Sequence, residues 1–422
     1  MMRQQTAPNF LSIASIIASM TLMALGNGIM FAYVPFALSQ AGEPMWVAGS
    51  AVTLIAGGGV IGCLIAGPLI ARVGHARMFT AFSAIIILSA AIVALGTIPW
   101  AWLASRFLYG IAMNGNFIIT QSWLNHSSDN SWRGRAMSVF YLGYVLGLGT
   151  GAFIFGQLPA AGNIAPLATI MFACIGILPI ALTRLATPPP PQGVTIALVR
   201  TWRTSPVGLV GIMASGGLSM LVQGFTPIYA AQKGLSQGDV SLLLFLMQLG
   251  MLGVQVPLGA LSDRIDRRLV LIGACVIIAA MALAAAQVTF ANILVAALIF
   301  AIWSGATESV YSISNAHAND RARPEDYVPL ASTMLVAWSA AAFVVPGVVT
   351  ALTPTLGPSA FMYIIAGLAL VFAAFVIVRL GRRDSVPEAQ TENFEVRSAQ
   401  IPNVENLLPE NDSTEVDLSL PG

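Results

Sequence analysis

The sequence predicts an all-α integral membrane protein of about twelve transmembrane helices in two pseudo-symmetric six-helix bundles. Three observations carry that expectation: a nearly uncharged composition, a succession of apolar segments each long enough to cross a bilayer, and an internal repeat pairing the first half with the second.

Of 422 residues, 57% are hydrophobic and 9% charged, with a mean hydropathy of +0.80. A soluble chain would be about a quarter charged. So much apolar surface cannot be hidden behind a polar shell, so lipid must cover the outside. The 39 glycines fit, because lipid gives helices no hydrophobic reason to associate and small residues let them approach closely. A net charge of +1 gives no electrostatic footprint for nucleic acid. Cys63, Cys174 and Cys275 fall in apolar stretches and read as small core residues, not as a disulfide or metal framework.

A helix needs roughly 20 apolar residues to span the hydrocarbon. Twelve segments meet that length: 10–35, 45–71, 77–97, 100–124, 135–158, 164–186, 206–231, 239–262, 268–288, 290–314, 327–351 and 357–380. Barrel strands would be about ten residues long and alternate in polarity, unlike these continuous runs. The first segment follows Arg3 but outruns the apolar core of a signal peptide and has a counterpart at the seventh, so it is expected in the mature protein.

Basic residues orient the array. With the N-terminus inside, 16 arginines fall in or beside cytoplasmic segments and one basic residue, Lys233, lies outside. That bias places both termini in the cytoplasm and demands an even number of spans. Trp46, Trp100 and Trp102 fall at outer ends and Trp123, Trp132 and Trp202 at inner ends, as expected for interfacial rings.

These segments divide the chain into a six-helix bundle over 1–186, a cytoplasmic linker over 187–205 and a second bundle over 206–380. Residues 381–422 hold three arginines and nine acids, a composition that reads as a disordered acidic tail.

The halves match at a nearly constant offset. Pro35 and Pro227, Gly67 and Gly259, and Arg72 and Arg264 are each 192 residues apart, and Gly115 and Gly305, and Arg133 and Arg323, each 190. The two prolines read as the ends of the first span in each half. With an even number of spans per half, the repeat is parallel, about an axis along the membrane normal. Two such bundles can rock around a midplane site, giving alternating access without an open pore.

The turn after the second span reads Gly67-Pro-Leu-Ile-Ala71-Arg72-Val-Gly74-His75-Ala-Arg77. It resembles the G-x-x-x-[DE]-[RK]-x-G-x-[RK]-[RK] signature of the major facilitator superfamily, with Ala71 in place of the acid. The second copy, Gly259-Ala-Leu-Ser-Asp263-Arg264-Ile-Asp266-Arg267-Arg268, keeps the acid. Arg106-Phe-Leu-Tyr-Gly110 is similar to the family's intramembrane R-x-x-x-G. Gly143, Gly147, Gly151 and Gly156 echo the glycine-rich fifth span of its drug antiporters. Segments at Glu308–Tyr311 and His317–Asp320 are similar to the YcaD-type bacterial branch. The resemblance covers about residues 10–380. It implies that spans one, four, seven and ten line a central cavity, and that Gly67, Arg72, Gly74 and Arg77, with Gly259, Asp263, Arg264 and Arg268, form gating turns at the inner face.

Two charges fall within spans, Arg106 and Glu308. A charge in hydrocarbon costs at least about 2.5 kcal/mol on insertion scales, so it should face a cavity or a partner. Arg106, Gly110, Asn114 and Gln121 share a helical face. Asn27, between Gly26 and Gly28, lies at a comparable depth and is the expected acceptor for Arg106, along with backbone near those glycines. Glu308, with Tyr311 nearby on its face, is a buried carboxyl able to carry a proton, to bind a cation, or simply to pack. Gln223 is a further cavity candidate. Trp303 reads either as a stacking surface or as helix packing. His75, His126 and His317 lie near inner helix ends, and no metal cluster, phosphate loop or catalytic triad is legible.

The expected protein is therefore not an enzyme and needs no cofactor. It is a monomeric multi-pass protein of the cell (inner, cytoplasmic) membrane that meets lipid, a small-molecule substrate and protons. A secondary transporter driven by a proton gradient is the leading reading. A facilitative carrier and a transporter-derived sensor remain open beside it.

Overall fold

The computed structural model describes residues 10–128, 130–159, 162–185, 188–189, 196–288, 290–323 and 326–382, together with Phe394 and Arg397. Helix is the only regular structure among the described residues. In the first half these are α1 (Phe10–Gln40), α2 (Met45–Val73), α3 (His75–Ala94), α4 (Pro99–Ser127), α5 (Asn130–Phe155) and α6 (Ile164–Leu182). A short α7 (Leu198–Thr204) precedes α8 (Pro206–Gln232), α9 (Gln237–Ser262), α10 (Arg267–Gln287), α11 (Ile293–Asn319), α12 (Tyr327–Leu356) and α13 (Ala360–Leu380). Apart from α7, the shortest is α6 with 19 residues, which at about 1.5 Å per residue still reaches roughly 30 Å.

Among the described residues, eleven helices are both long and apolar enough to cross a membrane. The twelfth, α4, is long enough at 29 residues but too polar, because it turns Arg106, Asn116, Thr120, Gln121 and Asn125 into the protein. Mean hydropathy cannot tell a polar residue facing protein from one facing lipid.

The repeat shows in the neighbours each helix chooses. In the first bundle α1 packs on α5 and α6, α2 on α4, and α3 on α4 and α6. In the second, α8 packs on α12 and α13, α9 on α11, and α10 on α11 and α13. Counted by position within each six, these are the same five pairings. Between bundles α2 meets α12 and α5 meets α9: second helix against fifth in both directions, as a two-fold axis requires.

Small residues make these seams possible. A Cβ at Gly28 would fall 2.0 Å from the Leu148 carbonyl oxygen, and one at Gly151 2.0 Å from that of Leu25, so α1 and α5 touch backbone to backbone. Gly58 meets Phe107 of α4 in the same way at 2.1 Å, and Gly250, 192 positions later, meets Ala301 of α11 at 2.4 Å.

Several expectations need correction. Pro35 and Pro227 lie inside α1 and α8, which run on to Gln40 and Gln232. A proline removes one backbone donor, but buried neighbours such as Val34, Phe36 and Leu38 hold the helix together beyond it. Trp102 and Trp123 are buried, not interfacial. Trp102 donates to the Gly96 carbonyl at 2.8 Å and Trp123 packs against His75 and Phe79. Trp46, Trp100, Trp132 and Trp202 are exposed. Cys174 is exposed, Cys63 is half-buried and Cys275 is buried; all three are free thiols.

The linker is tied to the second bundle. Arg200 pairs with Asp326, the Ala197 N–H donates to Thr333 at 2.9 Å, and Trp202 packs against Phe375 and Arg379. Beyond Arg382, two residues of the acidic tail are described. The Phe394 ring lies against Gly259, and Arg397 bonds to Ser312 and Gln255. The rest of the tail, from residue 383, lies outside the described residues.

Candidate functional site

A cavity of about 140 Å³ lies between the bundles, walled by α1, α2, α4 and α5 from the first and α8 and α12 from the second. Asn27, Arg106, Asn114 and Gln223, four of the candidates read from the sequence, line it. Tyr109, Tyr144, Trp338 and Ser339 line it too and were not anticipated. The remaining wall is apolar, with Met30, Phe31, Val34, Val52, Met113 and Phe117 among its residues.

Each polar group has a definite setting. Arg106 is 3% exposed. Its Nη2 donates to Ser89 Oγ at 3.1 Å and to Ser105 Oγ at 3.4 Å, and its Nε donates to Ser105 Oγ at 3.4 Å. The guanidinium carbon sits 5.1 Å from the Tyr109 ring centroid, a cation–π distance. The expected bond to Asn27 is absent. Asn27 Nδ2 instead donates to Tyr144 Oη at 3.0 Å, because the glycines beside Asn27 press α1 onto α5 and α6 and carry the asparagine toward α5. Asn114 Nδ2 donates to the Gly110 carbonyl at 3.2 Å. Gln121 is buried but outside the lining.

The tenth span, α11, was expected to line the cavity and does not. Its polar face is occupied by other helices of its own bundle. Gln223 Nε2 of α8 donates to Ser304 Oγ at 2.8 Å, and Gln248 Nε2 of α9 donates to Gln223 Oε1 at 3.0 Å. Ser219 Oγ donates to Glu308 Oε1 at 2.5 Å, and Gln255 Nε2 donates to Ser312 Oγ at 2.6 Å. Glu308 is fully buried and faces this network. Trp303 stacks on Phe361, with centroids 6.1 Å apart at 19°, so packing is its setting. Tyr311 lies in an apolar cluster with Ile212, Leu330 and Met334.

The seam between α5 and α9 carries hydrogen bonds toward both of its ends. Tyr141 Oη donates to Gln255 Oε1 at 3.0 Å. Near the other end, Gln237 Nε2 donates to the carbonyls of Phe155 at 2.5 Å and Leu158 at 3.0 Å.

The two turns expected to gate the inner face differ. In the first, Arg72 and Arg77 are exposed and Gly67 is half-buried. Gly74 holds a φ of +86° between α2 and α3, where a residue with a Cβ would be strained. In the second, Arg264 is exposed but Arg267 and Arg268 are buried. Arg267 Nε bonds Asp320 Oδ2 at 2.7 Å and Nη1 bonds Asp263 Oδ1 at 3.4 Å. Arg268 pairs with Asp266 at 2.6 Å. Burial alone would push the Asp266 carboxyl up, but the hydrogen bonds and charge of Arg268 hold it below its ordinary value. The Phe394 N–H also donates to the Asp263 carboxylate, at 3.0 Å.

The model of the Major Facilitator Superfamily matches residues 11–325 and, in a second match, 207–409. The chain is 24% identical over 374 residues to the protein named "Uncharacterized MFS-type transporter YcaD" from Salmonella enteritidis PT4, covering 87% of this chain and 95% of that one. The Salmonella typhi protein of the same name matches equally. Among solved structures, a point-mutant form of the nucleoside transporter NupG superimposes with a TM-score of 0.69 at 12% identity, over 88% of this chain and 100% of that one. The human organic anion transporter MFSD10 gives 0.60 at 17%, with the same coverage. At these identities the structural likeness speaks to fold alone.

Proposed function

The chain belongs to the major facilitator superfamily, and from that premise we propose that it is a proton-coupled secondary transporter moving a small organic solute by alternating access. The observation that carries the reading is the cavity between two bundles related by a two-fold pairing of helices. The units that tip are residues 1–186 and 206–380, joined by 187–205. Arginines concentrated at one end of the array support cytoplasmic termini and residence in a cell membrane as a multi-pass monomer.

Within this reading Arg106, Asn27, Asn114 and Gln223 meet the solute, and the turns around Arg72 and Asp263 gate the inner face. Glu308 carries the proton. Among the described residues it is the one carboxyl in the middle of a membrane helix, and its partner Ser219 sits on α8, the helix that also presents Gln223 to the cavity. A change of protonation at Glu308 would reach the cavity wall through one helix.

Purified protein in liposomes with an imposed pH gradient tests the reading. Saturable solute flux that follows the gradient, and loses that dependence in Glu308→Gln, is the expected result. Saturable flux indifferent to the gradient would make the protein a facilitative carrier. Binding without flux would make it a sensor.

A further inference from the structure

The cargo's chemical class can be taken further, resting on the transport reading above. Among the described residues lining the cavity, one is charged, Arg106. Its hydrogen-bond partners are two serine hydroxyls, and an aromatic face lies beside it. These groups solvate a cation without neutralising it. None of the described ion pairs involves Arg106, and Glu308 is outside the lining and bonded to Ser219. Arg106 Nη1 has no hydrogen bond to any described residue. The Tyr109 hydroxyl, in a residue that also lines the cavity, is buried with no hydrogen-bond partner.

An uncompensated cation and an unused hydroxyl, on two residues that line one cavity, are what a bound anion would complete. A guanidinium matches the planar fork of a carboxylate. A single cation balances a single negative charge, which favours a monoanion over a dianionic phosphate. Met30, Val34, Val52, Met113 and Phe117 form a continuous apolar share of the wall that suits a hydrocarbon or aromatic body, and the neutral side chains Asn27, Asn114 and Gln223 beside it add no charge. Met side chains adapt to varied apolar shapes. We infer that this cavity binds an amphipathic organic monoanion, its carboxylate on Arg106 and Tyr109 and its apolar body among the methionines and Phe117.

The test measures binding to the full chain in nanodiscs by calorimetry. The probes are carboxylates paired with the amide and the primary amine of the same body, on several linear and aromatic bodies. At least one carboxylate should bind ten-fold or more tighter than its amide, with the amine weaker still. Arg106→Gln should abolish that preference, Arg106→Lys should keep part of it, and Tyr109→Phe should weaken carboxylate binding a few-fold. Amides or amines binding as tightly as the acids, or none of the acids binding, would overturn the inference. So would a preference that survives in Arg106→Gln. If that variant does not fold, the wild-type series and Tyr109→Phe decide. Charge-selective binding with no flux in liposomes would instead sink the transport reading and leave this one standing.

Discussion

The turns after α2 and α9 occupy equivalent places in the two bundles, yet they do different physical work. The first exposes its arginines to solvent and offers Ala71 where the second offers Asp263. The second folds Arg267 and Arg268 inward and joins α9, α10 and the end of α11 through Asp263, Asp266 and Asp320. One duplicated frame thus yields an orientation anchor in one half and a buried charge knot in the other. What separates them is the supply of acids: in the second turn carboxylates take up the charge of the buried arginines, which offsets the cost of burying them.

The sharpest way to break this contrast is to remove one partner of the knot. Arg267→Ala removes the 2.7 Å ion pair to Asp320, whose side chain is 2% exposed, and breaking one partner of such a buried pair should cost about 3–5 kcal/mol. Arg77→Ala, at the matching exposed turn, should stay within about 0.5 kcal/mol. Thermal melts of both variants in one detergent check the pair, and equal losses would erase the distinction.

A smaller effect sharpens the contrast by pH. Asp266 caps α10 by accepting from the Arg268 N–H at 2.9 Å, so Asp266→Asn should cost about 1 kcal/mol. Its carboxyl titrates below its ordinary value when folded. The stabilisation is therefore complete above roughly pH 4, the unfolded value, and fades as pH falls through the lower folded value. Melts between pH 7 and pH 3 should show the gap between wild type and Asp266→Asn constant at first and closing at the acid end. A gap that widened in acid would reverse the assignment.

The smallest expected change comes from Ala71→Asp, which restores the missing acid beside exposed Arg72. A solvated pair of this kind contributes about 0–1 kcal/mol, so the melting temperature should hardly move. A large gain would mean that the first turn has a hidden capacity for burying charge.

What could be read beforehand follows the same division between lipid and protein. Helix number and placement were legible because lipid imposes length and apolarity on every span: α2 and α8 begin at the expected residues, 45 and 206. Four cavity residues were legible because Arg106, Asn114, Asn27 and Gln223 are polar where polarity is costly. Tyr109, Tyr144 and Trp338 were not, since an aromatic facing a cavity and one facing a neighbouring helix look alike in sequence. For Glu308 and Trp303 the sequence left a packing role and a functional one both open. Their neighbours Ser219 and Phe361 lie far off along the chain, and only the packed bundle shows them occupied. Trp102 and Trp123 sit at helix ends, but burial there depends on which way the helix is rotated.

The seam where α5 packs on α9 has a consequence for how the protein would respond to its surroundings. The hydrogen bonds described there, Tyr141 to Gln255 and Gln237 to two carbonyls, are between neutral groups, and the α2–α12 seam rests on contacts such as Gly57 against Phe343. None of the ion pairs named above joins one bundle to the other. Dissolved ions screen charges but leave neutral hydrogen bonds and packed methylenes almost untouched. If the halves part as proposed, these seams should let them do so with little dependence on ionic strength, so that a cell could alter its internal salt without jamming the motion.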